Sequence, residues 1–269
     1  MLIGLHMLSQ GISRRELFAS AAALLLPPAS RLAAEPLARR GTFVADVGIL
    51  YQVLKFHLEG GVDESIDREA GRYEVRVTGQ GSGIANRIES SGELRDGRWV
   101  PLRSASWFQV HGRESWTRIA YDYGRRSVEY HARGETFFLR RVRVVDDVVA
   151  MPDGAFIDDG ISASLNYRDG NWKARPDGNL VSHVVRRRQS ANEGADDVAS
   201  SYRAEIIPLE LRIAPDPETR KPTALLDLSR FSSWARENRP ARIVFDDERR
   251  PALITGSMIL GTSVTIRLG

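Results

Sequence analysis

The feature that most constrains this chain is a period-two alternation of apolar and polar residues, broken by glycine at short intervals. Tyr73, Val75 and Val77 alternate with Glu74, Arg76 and Thr78. Successive side chains of a strand point to opposite faces, so this pattern puts one face in a core and the other in water. Ile84 and Ile88 flank Asn86 in the next run. Short strands are then expected at Trp107–Val110, Trp116–Tyr123, Ser127–Ala132 and Thr136–Val145. Asp96-Gly97, between Leu94 and Trp99, marks a hairpin whose two turn positions need positive φ. Gly112, Gly124 and Gly134 follow at spacings of 12 and 10 residues. That rhythm predicts an antiparallel sheet that meanders.

The middle of the chain departs from it. Met151–Asp159 reads as a polar loop, and Asp158 or Asp159 is placed to cap a short helix running through Asn166. Strands are predicted again at Leu180–Gln189, Tyr202–Ile207 and Leu209–Ile213, with a polar hairpin tip at Asn192–Asp197. Pro215 opens an exposed loop to Pro222, and Ser229 is expected to cap a second helix to Asn238. Strands at Arg242–Phe245, Pro251–Thr255 and Thr262–Leu268 close the chain. The whole reads as an all-β, mainly antiparallel protein of 11 to 14 strands and one or two short helices. Its curved, meandering sheet is expected to form a closed or half-open barrel.

Composition narrows the class. Apolar residues make up 42 % and charged residues 27 %, which excludes a disordered tail protein. There is no cysteine, which excludes a disulfide scaffold, a thiolate metal site, a cysteine nucleophile and a lipid-anchored lipoprotein. No apolar run is long enough for a membrane-spanning helix. The formal charge is +3.

Much of that charge sits in residues 1–34, which read as an export signal. Ser13-Arg14-Arg15-Glu16-Leu17-Phe18 precedes the apolar stretch Ala19–Leu26, a Pro27-Pro28 break and the small pair Ala33-Ala34. The paired arginines point to the twin-arginine export machinery as a partner, with cleavage expected after Ala34. Residues 35–269 then form a single β-rich domain, soluble in the periplasm and without a stable membrane anchor. Its balance is 35 basic against 34 acidic residues, which argues against nucleic acid as a partner.

Five stretches resemble the exported bacterial family catalogued as domain of unknown function 3108. Gly48–Val53 with Gly60-Gly61 resembles its opening strand and turn. Ser91-Gly92 followed by Gly97–Leu102 is similar to its glycine-then-proline step, and Tyr121-Asp122-Tyr123 with Val128 to its next strand pair. Asp158–Leu165 resembles its "D-x-x-S-x-L" helix start, and Val244–Pro251 with Gly261 its last hairpin. The resemblance spans roughly residues 42 to 269. It implies a β-rich exported protein without an established activity, shaped like the periplasmic carriers that hold acyl chains in an incomplete barrel.

No catalytic constellation stands out. The histidines are isolated, with no H-E-x-x-H, so no metal site is expected. Gly79-Gln80-Gly81-Ser82-Gly83 has its serine one place off a nucleophile elbow and lies between two strands, and reads as a turn or bulge. The acid pairs Asp146-Asp147, Asp158-Asp159, Asp196-Asp197 and Asp246-Asp247 are adjacent in sequence. They would point to opposite faces of a strand and do not by themselves make a hydrolytic dyad. No cofactor is expected.

One zone suggests binding instead. Arg103–Arg143 carries nine arginines against four acids, interleaved with Trp107, Trp116, Tyr121, Tyr123 and Phe138. These five aromatics and Arg118 are the candidate ligand-binding residues: an apolar trough rimmed by guanidinium groups suits a lipid or acylated envelope component. The expected function is therefore non-enzymatic binding of a hydrophobic or amphiphilic envelope ligand. The alternatives are an interaction module without a ligand, or a hydrolase of envelope polysaccharide or ester whose site is assembled from separate strands.

Overall fold

The structure, a computed structural model, describes residues 37–49, 51–52, 54–136, 139–189, 193, 196–216, 220–231, 235, 238–257 and 262–269. The expected export signal, with its cleavage point, and Phe138 lie outside the described residues.

The alternation in the sequence becomes a single curved sheet. Its first arm runs β1 (Leu37–Ile49), β2 (Leu54–Asp67), β3 (Arg72–Gly81), β4 (Ile84–Arg95), β5 (Arg98–Val110), β6 (Arg113–Asp122), β7 (Ser127–Glu135) and β8 (Val142–Ala150). After it come β9 (Ile157–Asp158), helix α1 (Gly160–Arg168), β10 (Lys173–Ala174), β11 (Leu180–Arg187) and β12 (Ala204–Pro215). The chain ends with β13 (Pro222–Leu226), β14 (Ala241–Phe245), β15 (Pro251–Ser257) and β16 (Ser263–Leu268). The sheet order is β10 to β16 followed directly by β1 to β8, and β9 adds to β11 as a parallel strand. The first and last strands are thus neighbours in mid-sheet.

Among the described residues the sheet does not close. Its gap lies between β8 and β11–β12, and side chains fill it. Asp147 Oδ2 on β8 accepts from Ala204 N at 2.8 Å and pairs with Arg203 Nε at 3.0 Å. Arg143 donates through Nε to Asp197 O at 2.9 Å and lies 3.4 Å from Glu193, which also takes Arg187 at 2.8 Å. Tyr130, Val145, Val185 and Ala204 pack behind this seam.

On β8 charged and apolar side chains share each face, with Val145 and Val149 inward beside the charges and Asp146 outward. Arg143 and Asp147 point inward and are buried, while Val142, Val144 and Val148 point outward and are exposed. The seam explains the inward charges.

Some sequence expectations change. Thr136–Val145 is not one strand: Thr136 N donates to Arg141 O at 2.7 Å, and Arg140 has φ +54°, which makes a turn between β7 and β8. The strands expected at Tyr202–Ile207 and Leu209–Ile213 are one strand, β12, which starts at Ala204 and runs through Pro208. The loop expected to end at Pro222 leads straight into β13. Among the described residues the expected Ser229–Asn238 helix is not seen. Phe231 closes a turn on Leu228, and Ala235 sits in an isolated bridge; residues 232–234 and 236–237 lie outside the described set. The glycine-rich stretch divides between strand and turn: Gly79 and Gly81 belong to β3, while Ser82 and Gly83 make the turn with φ +50° and +74°. Among the described residues the sheet has sixteen strands, more than the 11 to 14 expected from the sequence.

α1 lies inside the curve of the sheet. Ile161 and Leu165 pack into a core with Phe43, Tyr73, Val75 and Trp99, while Ala163 and Tyr167 pack into a second core with Val184, Leu209, Leu211 and Phe245. A nine-residue helix is marginal alone in water. Burial between two walls, and the polar ties described next, hold it.

Candidate functional site

Two places inside the shell combine polar groups with α1. The first is at the helix start. Asp159 is the N-cap: its Oδ1 accepts from Ile161 N at 3.0 Å and Ser162 N at 2.7 Å, and Ser162 Oγ returns a bond from Asp159 N at 2.9 Å. This satisfies the free amides of the first turn and places negative charge at the positive end of the helix. The other oxygen of Asp159 accepts from Ser90 Oγ at 2.5 Å, and Tyr73 Oη is 3.0 Å from that same hydroxyl.

Asp158, one residue earlier, is fully buried between β5 and β11. Arg98 and Ser182 both donate to its Oδ2, and Asn166 Nδ2 donates to Oδ1 at 3.0 Å. Asn166 also pairs with the backbone of Trp99 as a strand neighbour would, Nδ2 to O at 2.7 Å and N to Oδ1 at 2.9 Å. Burial pushes the Asp158 carboxyl up to about 6 against the opposing pull of Arg98 and Ser182. Burial likewise raises Asp159, against its hydrogen bonds from Ser90 and Ser162. Tyr73 and Tyr121 are raised first by burial and then by the charge of Asp159, so both hydroxyls stay protonated as donors. The two adjacent carboxylates share Ser162, whose Oγ also donates to Asp158 Oδ1 at 3.3 Å, and otherwise have different partners; Asp158 is closed off from solvent and Asp159 half-buried. As an arrangement they fix α1 to both walls; they do not face a common cleft.

The second place is a crevice between α1 and the wall formed by β15, β16, β1, β2 and β3, with a volume of about 110 Å³. Val62, Val75, Val77, Leu165, Ile254 and Leu268 supply its apolar sides, and Arg39, Arg168, Arg250 and Glu64 also line it. Arg39 and Glu64 are cross-strand partners in register. The crevice holds far less than the several hundred Å³ of a typical drug-sized pocket. Its size matches a single ring or the end of an alkyl chain.

The structure separates the sequence-predicted ligand residues. Trp107 and Trp116 are cross-strand partners on the face of β5 and β6 turned away from the core, and the Arg118 guanidinium lies 5.2 Å over the Trp116 ring. Tyr121 is buried inside, with its hydroxyl 3.5 Å from Ser104 Oγ. Tyr123 donates to Ile157 O at 2.9 Å and carries the Arg95 guanidinium over its ring. The expected trough therefore does not gather these aromatics: two are outside and two are inside. On β6 Trp116 and Tyr121 are an odd number of residues apart and so point to opposite faces, with Ser115, Thr117 and Ile119 in the other inward positions.

Sequence reasoning missed Arg98, Ser182 and Asn166 as partners of Asp158, and the three arginines at the crevice. Of the first group only Arg98 lies in one of the stretches on which the resemblance rests, Gly97–Leu102, beside Tyr121–Tyr123 and Asp158–Leu165. In the structure they meet at the start of α1 through the bonds of Arg98, Tyr123 and Asp158.

No family model matches the chain, and no curated protein matches it. Among solved structures it is similar to a β-barrel-like protein of domain of unknown function DUF1849 from Brucella abortus. The identity is 10 %, the TM-score 0.34, and the match covers 88 % of this chain and 98 % of that one.

Proposed function

We propose that the protein is a non-catalytic binding protein of the bacterial periplasm, which takes a hydrophobic or amphiphilic envelope molecule into the interior of its incomplete barrel. The observation that carries this is the crevice beside α1: an apolar recess with guanidinium groups along its lining. The buried carboxylates support the same reading, since Asp158 and Asp159 are consumed in holding the helix. The test is organic extraction of the protein purified from its own envelope, followed by mass spectrometry. A bound apolar or amphiphilic molecule in stoichiometric amount is expected. Protein that carries none, and that binds no hydrophobic dye, sinks the reading.

A second reading has its own observation. Trp107, Trp116 and Val144 lie in one row on the outer face, joined through Arg133, with Val142 and Val148 beside them. Val144 and Val148 are 53 % and 59 % exposed. Contiguous exposed apolar residues mark interaction surfaces, so this face suits docking to a component of an envelope assembly. A photo-crosslinker at position 116 in living cells is expected to capture a single partner, and the absence of any adduct would remove this reading.

A further inference from the structure

We infer that the crevice beside α1 binds a small amphiphile with an anionic head and a short apolar tail, read by Arg168, Arg250 and Arg39. This rests on the binding reading above and names the ligand class. The volume of about 110 Å³ sets the tail: it admits a ring or about six carbons, not a full acyl chain. The guanidinium groups set the head. The Arg168 side chain is only 14 % exposed, yet its nearest acid is Asp169 Oδ1 at 3.6 Å from Nε, beyond hydrogen-bond reach. That carboxylate already accepts from Arg68 at 2.8 Å and from Trp99 Nε1 at 2.9 Å. Arg250 holds Glu248 at 2.5 Å through one terminal nitrogen, while its Nε is buried with no partner. Arg39 makes no ion pair among the described residues. Each guanidinium offers five donors, and three of them line the crevice against one side-chain carboxylate, Glu64. An anion at this place would find donors that the protein leaves unused, in an environment partly shielded from water where charge-assisted bonds are strong. A carboxylate and a phosphate head share this chemistry.

Calorimetric titration of the full-length mature protein with hexanoate, hexyl phosphate, hexanol and inorganic phosphate tests the assignment. Hexanoate or hexyl phosphate is expected to bind at least about tenfold more tightly than hexanol, the factor that one charge-assisted bond supplies. Arg168→Gln and Arg250→Gln are expected to remove that preference while leaving hexanol binding in place. Ser164→Leu, which projects into the crevice from α1, is expected to block every tailed probe. Thermal melts of the variants confirm that each is folded. Hexanol as tight as hexanoate would overturn the head-group assignment and leave the binding reading standing. Tight binding of inorganic phosphate alone would overturn the tail. Binding untouched by Ser164→Leu would overturn the location. No binding by any probe to a protein that does carry an extracted envelope molecule would show that the ligand sits elsewhere in the shell.

Discussion

The ring of Phe43 on β1 lies across the bare backbone of Gly79 on β3, with Gly60 of β2 in register between them. A Cβ on Gly79 would stand 2.6 Å from Phe43 Cζ and 2.6 Å from Asn86 Oδ1. The aromatic ring fills, from one strand, the side-chain space of two glycines on its neighbours. Gly79→Ala is therefore expected to cost about 1–3 kcal/mol by overpacking. Phe43→Ala is expected to cost about 3–5 kcal/mol by leaving the space empty. Urea midpoints of the two variants check the pair, and a neutral Gly79→Ala would show that the ring can move aside.

Arg98 and Asp158 form an ion pair with side chains 11 % and 0 % exposed. Removing one partner from such a pair strands the other charge away from water. Arg98→Met is expected to lower stability by about 3–5 kcal/mol, and Arg98→Met with Asp158→Asn by clearly less than the sum of the single changes. Additive losses in a double-mutant cycle would contradict the coupling.

Burial of Asp158 also predicts an unusual pH dependence. Its folded carboxyl titrates near 6, above the ordinary value of 3.8. Between those values the folded state binds the proton that the unfolded state has released. The contribution of this group to stability therefore rises as pH falls from about 6 towards 4, by about 2–3 kcal/mol in the limit. Asp159, raised in the same direction, adds to the trend. Asp169 is held low by Arg68 and Trp99, and the stability it gives is lost as pH falls below the ordinary carboxylate range. Denaturation at pH 4, 5, 6 and 7 is expected to show a shallow rise towards pH 5 or 4 that Asp158→Asn flattens. Unchanged slopes in that variant would refute the assignment.

Asp147 holds the seam through Ala204 N and Arg203. Asp147→Ala is expected to raise amide exchange in β8 and at the start of β12 while leaving β2–β4 protected, because those strands keep their full ladders. Uniform loss of protection would show that the seam and the sheet open as one unit.

Much of this fold was legible because alternation is a local property. β3 is buried at every second residue from Tyr73 to Gly79, as the pattern requires. Asp96-Gly97 takes φ +50° and +76° at the hairpin tip. The failures have physical causes. β1 and β2 are interrupted in sequence by Gly41, Gly48, Gly60 and Gly61, and the apolar group that completes the pattern at Gly60 belongs to Phe43 on another strand. Pro208 made one strand look like two, although it sits in register opposite His183 within β12. At the candidate site, Asp159 as a cap could be read from the serine three residues on. The partners of Asp158 could not, because Arg98 and Ser182 lie 60 and 24 positions away. The crevice belongs to no single segment: its arginines come from β1, from the end of α1 and from the approach to β15.

The incomplete barrel has one further consequence. Around most of its girth the wall is joined by backbone ladders that are insensitive to salt. At the β8 boundary the joint among the described residues consists of the charged groups of Arg143, Asp147, Arg187, Glu193 and Arg203, with a few apolar side chains behind them. Apart from Arg203 those side chains are nearly closed off from water, so salt screens the line only weakly, and parting it would break no rung of the sheet.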